Sequence, residues 1–209
     1  MVRTIIFDFD GTIADTLQSS ITAINSLANK YGFRKVTKEE VRSEGTQEII
    51  KDRHISLFKL PKLLKDYTTL VQKQITSQHP IDQMPQLLAE LNQSGLDLSI
   101  ITSNSVENVS IFLNKHNLTF FKHIYSDTSV FGKNIVISRF LTKYKLKNEE
   151  TIYVGDELRD IAAAHKAKIK IISVTWGFNS KEALKSDSPD YLVNKPNQIA
   201  EILGGINSL

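Results

Sequence analysis

The sequence predicts an α/β fold, in which a doubly wound parallel sheet carries a small helical domain inserted after its first strand. Short, almost continuous apolar runs recur along the chain, as in parallel strands that are buried on both faces. Segments with apolar residues at helical spacing lie between these runs, and this alternation is typical of βαβ units. One long early interval has helical periodicity but no strand pattern. These observations together indicate a sheet with a helical insertion.

Six apolar runs define the predicted strands. Helical stripes separate them, for example from Met84 to Leu91 and from Ile137 to Tyr144, where apolar residues recur three and four positions apart. The resulting core is Rossmann-like, with helices on both faces of the sheet. In chain order, the predicted strands cover residues 4–7, 96–101, 123–125, 151–154, 169–174 and 191–193.

Residues 15–79 break the alternation of strands and helices. Two amphipathic stripes, 17–31 and 60–75, lie in this interval, which is too long to be a loop. We therefore predict a small helical cap domain at 15–79 and a Rossmann-like core formed by 1–14 and 80–209.

Three polar residues are predicted to begin helices of this cap. Thr37 and Thr46 precede short helical patterns, and a threonine side chain can cap the first turn of a helix. Asp15 is expected to cap the first long helix, which gives it a structural role.

Composition excludes several classes of function. The chain has no cysteine, so disulfides, zinc thiolates and cysteine nucleophiles are ruled out. Its net charge of +3 comes from scattered lysines, so no nucleic-acid partner is expected. No apolar run approaches the ~20 residues of a membrane span, and none resembles a signal peptide. We therefore expect a cytoplasmic protein without a membrane partner.

Polar residues follow three of the predicted strands at the point where each strand ends. The first strand runs into Asp8-Phe9-Asp10-Gly11-Thr12 and the second into Thr102-Ser103-Asn104. A later strand runs into Gly155-Asp156-Glu157-Leu158-Arg159-Asp160. Ligands of open α/β sheets bind in the crevice at the carboxyl ends of the strands. We expect these three segments to converge there.

The residue types at these strand ends suit phosphate chemistry with a divalent cation. Asp8, Asp156 and Asp160 offer hard anionic oxygens, and magnesium binds through a few carboxylates together with waters and phosphate oxygens. Asp8 and Asp10 lie two positions apart, beside a glycine that permits a sharp turn. One of these two carboxylates can attack phosphorus while the other handles the proton of the leaving group.

The same motifs support a family resemblance that covers essentially the whole chain. Asp8-Phe9-Asp10-Gly11-Thr12, with Asp15, resembles the signature of haloacid dehalogenase-type phosphatases. Thr102-Ser103 and the segment 155–160 resemble the second and fourth motifs of that family, in the same order. The helical insertion resembles the cap of the phosphoglycolate phosphatase-like branch.

This resemblance implies roles for the strand-end carboxylates. Asp8 would be the nucleophile and a magnesium ligand. Asp10 would be the general acid and then the base that activates water, and its backbone carbonyl would contact the metal. Asp156 would complete the metal site, and Asp160 would support it.

The resemblance also implies groups that bind the phosphoryl unit and the substrate. Thr102 and the backbone amide of Ser103 would hydrogen-bond the phosphoryl group. The lysine of the third motif is predicted to be Lys133, because a lysine at a helix start is unfavourable with the helix dipole unless it serves an anion nearby. In the cap, the residues predicted to contact the leaving group are Arg42, Gly45 and Thr46.

We therefore predict a Mg²⁺-dependent phosphatase that hydrolyses a small phosphate monoester, phosphoglycolate-like or a sugar phosphate, through an aspartyl-phosphate. A nucleotide or pyrophosphate is also open as the substrate. The chain is expected to act as a monomer or homodimer on a small phosphorylated metabolite.

Other functions stay open at this point. A sugar phosphomutase of the same fold would return the phosphoryl group to another hydroxyl. A catalytically inactive member would bind a metabolite or a protein, although it would usually have lost one of Asp8, Asp10 and Asp156. A receiver domain also uses aspartate and magnesium, but the long helical insertion argues against it. A dehalogenase would need neither magnesium nor a leaving-group acid.

Overall fold

The computed structural model describes residues 1–53, 55–56, 58–126 and 132–208, with only the backbone of residues 46 and 47. Its centre is a six-stranded, fully parallel sheet in the order β3-β2-β1-β4-β5-β6. The predicted doubly wound sheet is therefore confirmed. The strands are β1 Thr4–Phe7, β2 Asp97–Thr102, β3 Phe121–Ser126, β4 Thr151–Gly155, β5 Lys170–Val174 and β6 Tyr191–Val193.

Helices flank the sheet and fill the insertion. No helix among the described residues is both long and apolar enough to cross a membrane. The helices of the insertion are α1 Leu17–Tyr31, α2 Lys38–Ser43, α3 Thr46–Asp52 and α4 Leu60–Gln74. After it they are α5 Met84–Gln93, α6 Val106–Lys115, α7 Lys133–Tyr144, α8 Leu158–Lys166, α9 Lys181–Ser186 and α10 Asn197–Asn207. Short 3-10 helices cover Ile75–Ser77 and Asn148–Glu150.

Side-chain alternation along β1 separates the core into two layers. Ile5 and Phe7 point into the cluster that α5, α6 and α10 cover, whereas Ile6 points into the cluster of α7 and α8. All three side chains are fully buried. This two-sided burial explains why β1 reads as a continuous apolar run.

β1 lies between β2 and β4, and this position decides where the functional residues meet. Phe7 is in register with Ile100 on one side and Val154 on the other. The backbone N–H of Asp8 continues the ladder by donating to the carbonyl of Val154 at 2.8 Å. The polar segments that follow β1, β2 and β4 therefore leave the sheet at the same edge.

The helical insertion has its own small core. Helices α1 and α4 pack together around Leu27, Tyr31 and Leu63. The two chain crossings between the insertion and the sheet run side by side, because Ala14 forms an antiparallel bridge with Pro80. The proposed domain bounds fall next to this bridge and remain a prediction.

The predicted helix starts of the insertion are correct only in part. Thr37 caps α2 in a capping box with Glu40. Helix α3 begins at Thr46 itself, with Gly45 in the capping position. The prediction that Asp15 caps α1 is wrong, because Thr16 occupies that position without a side-chain cap. Asp15 instead donates its backbone N–H to the carbonyl of His79 across the two crossings, at 2.9 Å.

Candidate active site

Asp8 is held through both of its carboxylate oxygens at the sheet edge. Its Oδ1 accepts a hydrogen bond from the backbone N–H of Phe9 at 2.8 Å, and its Oδ2 accepts one from Nζ of Lys133 at 2.8 Å. The side chain is buried directly beyond the end of β1. Both oxygens are therefore oriented before any ligand arrives.

Lys133 joins two carboxylates. Its Nζ pairs with Oδ2 of Asp8 and, through a short contact, with Oδ1 of Asp160. Burial by itself would lower the pKa of Lys133, but the charges of Asp160 and Asp8 raise it well above the usual value. The ammonium group therefore stays charged. Lys133 is the first residue of α7, which places it at a helix start.

Asp156 is fully buried and held from two sides. Its Oδ1 accepts a hydrogen bond from the hydroxyl of Thr12 at 2.6 Å, and its Oδ2 accepts one from the backbone N–H of Phe178 at 2.7 Å. A Cβ added at Gly11 or at Gly177 would collide with this carboxylate, so both positions need glycine. Burial and the charge of Asp8 raise the pKa of Asp156 well above its usual value.

Asp160 lies in the first turn of α8 and turns back towards the strand end. Its Oδ2 accepts hydrogen bonds from the backbone N–H groups of Asp156 at 3.1 Å and Glu157 at 3.0 Å. A Cβ at Gly155 would collide with the same oxygen. Burial raises the pKa of Asp160 to about 6, although the charge of Lys133 lowers it.

The carboxylates at this edge fit a divalent cation. Oxygens of Asp8, Asp156 and Asp160 lie within 4.8 Å of one another. Burial together with mutual repulsion disfavours the charged form of Asp156, so a cation would relieve an excess of negative charge here. A set of carboxylate oxygens without nitrogen or sulfur suits magnesium. The carboxylate of Asp10 is not part of this cluster.

Asp10 is oriented by a residue that the sequence analysis did not select. Its Oδ2 accepts a hydrogen bond from Nδ2 of Asn104 at 3.3 Å, and its Oδ1 is buried. Asn104 is itself fixed, because its Oδ1 accepts from Nδ2 of Asn108 at 2.9 Å. Burial and the charge of Asp8 raise the pKa of Asp10 to about 6. Asn104 closes the polar segment after β2, and that position was its only signal in the sequence.

Thr102 and Ser103 occupy different environments at the end of β2. Thr102 is buried, and its Oγ1 accepts a hydrogen bond from the backbone N–H of Asn104 at 2.9 Å, so its own hydroxyl hydrogen can be donated to a ligand. Ser103 is exposed. Ser105 caps α6 by accepting from the backbone N–H of Asn108, so Ser103 is not needed for the cap.

Two further residues interact electrostatically with the carboxylates of the site, and the sequence analysis selected neither. The guanidinium of Arg159 donates to Oε1 of Glu157 through Nε at 2.8 Å and Nη2 at 2.5 Å. Its charge also acts on the carboxylates of Asp8 and Asp10. Tyr67, on α4, is affected electrostatically by the site. Burial, together with the charges of Asp10 and Glu157, raises the pKa of Tyr67 to about 12, so its hydroxyl stays protonated.

The three residues of the insertion that are predicted to contact the substrate lie in different surroundings. Arg42 donates from Nη1 to the carbonyl of Gly177 at 2.6 Å and from Nη2 to that of Thr175 at 3.0 Å, so it binds the core backbone. A Cβ added at Gly45 would lie 2.7 Å from Oε2 of Glu48 and 3.8 Å from the side chain of Leu158 at the start of α8. Thr46 begins α3, but its side chain lies outside the described part of the chain.

The fold and its carboxylate site can now be compared with known protein families. Residues 5–174 match the model of the haloacid dehalogenase-like hydrolase family, and the chain belongs to that family. The predicted family and the predicted hydrolase class are thereby confirmed.

Named relatives narrow the class to phosphatases. The chain is 29% identical to a phosphoglycolate phosphatase of Synechococcus elongatus over 96% of both chains. It is 23% identical to the pyrophosphatase PpaX of Bacillus mycoides over 99% of both chains. Its fold is similar to that of a haloacid dehalogenase-like hydrolase from Streptococcus pneumoniae, with a TM-score of 0.79 and 23% identity over 97% of this chain and 98% of the other.

Proposed function

We propose that this protein is a Mg²⁺-dependent phosphatase that hydrolyses a small phosphate monoester through an aspartyl-phosphate on Asp8. The observation that carries the proposal is the placement of Asp8: Lys133 and Phe9 orient its two oxygens, and the carboxylates of Asp156 and Asp160 lie within 4.8 Å. This environment holds an anionic nucleophile beside a cation and a metal-binding cluster.

The reaction would proceed in two displacements on phosphorus. In the first, an oxygen of Asp8 bonds to phosphorus while the ester P–O bond breaks, and Asp10 gives its proton to the departing alkoxide. In the second, water bonds to phosphorus, gives its proton to Asp10, and the bond between phosphorus and Asp8 breaks. Inorganic phosphate and an alcohol are released, and both aspartates return to their starting states.

The position and acidity of Asp10 support its role as the acid. Its Oδ1 is buried and its Oδ2 is held by Asn104, so the carboxyl group is fixed beside the nucleophile. Its pKa of about 6 lets it hold a proton close to neutral pH and release it again.

One set of groups would bind the metal and another would bind the phosphoryl group. We propose that Asp8, Asp156 and the carbonyl of Asp10 hold Mg²⁺, with Asp160 in support. When bound, Mg²⁺ would neutralise the carboxylates and withdraw charge from the phosphoryl oxygens. The hydroxyl of Thr102, the amide of Ser103 and the ammonium of Lys133 would bind the phosphoryl group.

The substrate class is proposed from the relatives and from the charges near the site. Phosphoglycolate carries a carboxylate, and pyrophosphate carries a second phosphate, so the substrates named for the relatives share a second anionic group. The guanidinium of Arg159 and the neutral hydroxyl of Tyr67 are suitable donors for such a group. We therefore favour a phosphoglycolate-like substrate over a sugar phosphate. The cytoplasmic location and the monomer or homodimer state remain predictions.

The test is phosphate release from p-nitrophenyl phosphate, phosphoglycolate, pyrophosphate and sugar phosphates, each with Mg²⁺ and with EDTA. We expect release that needs Mg²⁺ and favours one anionic substrate. Folded protein that releases no phosphate from any of them would contradict the proposal. Stable phosphorylation without release would favour a phosphomutase or a receiver.

A further inference from the structure

The segment that follows β5, residues 175–180, contacts both the metal-binding cluster and the helical insertion. The sequence analysis gave it no function. In the structure its aromatic residues are anchored. Nε1 of Trp176 donates to the carbonyl of Thr12 at 3.2 Å, and Phe178 packs against the cluster of Leu17, Ile21 and Val36 in the insertion. This segment is therefore part of the boundary between core and insertion, and we call it the 175–180 segment.

One side of the 175–180 segment holds Asp156. The backbone N–H of Phe178 donates to Oδ2 of Asp156 at 2.7 Å, and that of Asn179 donates to the backbone carbonyl of Asp156 at 3.2 Å. The side chain of Asn179 is buried, and its Oδ1 accepts from the backbone N–H of Leu158 at 3.0 Å. Both the side chain and the backbone of Asp156 are thus tied to the segment.

The other side of the segment holds the insertion. Arg42, on α2, donates to the carbonyls of Gly177 and Thr175, and its own carbonyl accepts from the N–H of Ser180 at 2.7 Å. Nδ2 of Asn179 donates to the carbonyl of Glu44 at 2.8 Å. The amide of Asn179 therefore binds the insertion through its nitrogen and the start of α8 through its oxygen.

We infer that Arg42 and Asn179 are positioning residues that couple docking of the insertion to the geometry of Asp156. The inference rests on the proposed function, because it takes Asp156 as a metal ligand. If α2 moves away from the core, the bonds of Arg42 to Gly177 and Thr175 break, and the segment that orients Asp156 loses its outer support. By linkage, metal bound at Asp156 favours the docked insertion by the same factor that docking favours the metal.

The coupling also gives Arg42 a role different from the one predicted for it. Its guanidinium binds backbone carbonyls of the core, so it acts through the 175–180 segment and not on the leaving group. A residue that only stabilised the boundary would change the thermal stability of the protein but not its affinity for Mg²⁺. Direct metal binding therefore separates the two roles.

The experiment measures Mg²⁺ binding by isothermal titration calorimetry in wild type, Arg42→Ala, Asn179→Ala and Arg34→Ala. Arg34 is a matched control, since it is an exposed arginine of the same insertion that pairs with Glu40. Typical coupling between sites changes affinity by ~5–150-fold. We expect Arg42→Ala and Asn179→Ala to weaken Mg²⁺ binding at least ~5-fold, and Arg34→Ala to leave it unchanged.

Amide hydrogen exchange provides a second measurement of the same coupling. The N–H of Ser180 is bonded to the carbonyl of Arg42, so it reports on docking of the insertion. We expect Mg²⁺ to slow its exchange in wild type and to have a smaller effect in Arg42→Ala. If Arg42→Ala does not fold, Arg42→Lys keeps one charged donor, and we expect it to have intermediate Mg²⁺ affinity.

The outcomes distinguish the inference from the proposed function. Wild type that binds Mg²⁺ and releases phosphate, with variants of equal Mg²⁺ affinity and lower Tm, would overturn the inference alone. Wild type that binds Mg²⁺ without phosphatase activity would overturn the proposed function, while weaker binding by the variants would still support the coupling. Wild type that binds no Mg²⁺ would refute both.

Discussion

The carboxyl edge of the sheet and the helical insertion hold their polar residues in different ways. At the sheet edge, Asp156 and Asp160 are fully buried, and backbone N–H groups fix their carboxylates. In the insertion, ion pairs such as Lys30 with Asp66 are partly exposed, and α2 has no buried residue. The sheet edge therefore holds its charged side chains in fixed positions. The insertion presents a small number of side chains whose placement depends on how it docks.

This comparison predicts that changes at the sheet edge will abolish chemistry, while changes in the insertion will alter affinity or choice of substrate. Replacement of Asp8 by asparagine should have the largest effect. The amide keeps the shape of the side chain but cannot act as the nucleophile, so kcat should fall by at least ~10⁴-fold. Phosphate release and circular dichroism, measured together, check this expectation.

Asp15→Asn is the control for Asp8→Asn, because Asp15 is an exposed carboxylate of the same connection between β1 and α1. It should keep near wild-type activity. Substantial turnover by folded Asp8→Asn would show that another group attacks phosphorus.

Removal of Lys133 should give the next largest effect. Lys133→Ala leaves Asp8 and Asp160 without their shared cation, so we expect kcat to fall by ~10²–10³-fold, as for other electrostatic groups at reaction centres. Arg139→Ala on the same helix removes an exposed charge and should leave kcat unchanged. Equal kcat values for the two variants would show that Lys133 does not contribute to catalysis.

The sheet edge should also set the pH dependence of stability in metal-free protein. The pKa of Asp10 and that of Asp160 are raised to about 6 in the fold, so these groups take up protons on folding as the pH falls. Stability in EDTA should therefore increase between pH 7 and pH 5, with Tm rising by ~2 °C or more. Glu40, whose pKa is lowered to about 2, loses stabilisation only below about 4.5, outside this interval.

Asp10→Asn isolates the contribution of one carboxyl group to this effect. The lowered pKa of His123 opposes the increase, but it is the same in wild type and variant, so it cancels in the difference. We expect a smaller rise of Tm in Asp10→Asn by differential scanning calorimetry. Identical slopes in the two proteins would contradict the assignment of a raised pKa to Asp10.

Tyr67 should show the smallest effect, since it belongs to the insertion. Tyr67→Phe removes one hydrogen-bond donor, so KM for a substrate with an anionic leaving group should rise by ~3–10-fold, with kcat little changed. Tyr31→Phe is the matched control, because that hydroxyl donates to Asp66 away from the sheet edge. A large loss of kcat in Tyr67→Phe would mean that the insertion takes part in chemistry, and the contrast between the two regions would fail.

The fold was predictable because its signals are local. Each strand is a short apolar run bounded by polar or turn residues, and burial on both faces makes such runs visible without any alignment. The prediction for β3 was the weakest, since 123–125 is shorter than the observed Phe121–Ser126. β3 is an outermost strand of the sheet and is only partly buried, so its apolar pattern is less continuous.

The main residues of the candidate site could also be selected from sequence, because strand ends converge in this topology. Asp8 and Asp156 directly follow strands, Thr102 ends one, and parallel pairing brings those strand ends together. Lys133 was selected from its place at a helix start, and the structure puts it against Asp8. The catalytic and binding roles of these residues remain predictions for the experiments above.

What the sequence alone determined is the set of elements and the carboxylates at their ends, since both depend on short patterns. Only the tertiary structure decided which polar groups hold those carboxylates. Thr12 binds Asp156 across 144 positions of the chain, and Arg42 binds Gly177 across 135. No local sequence pattern predicts such a contact, because the contact depends on the packing of the insertion and the 175–180 segment against the sheet.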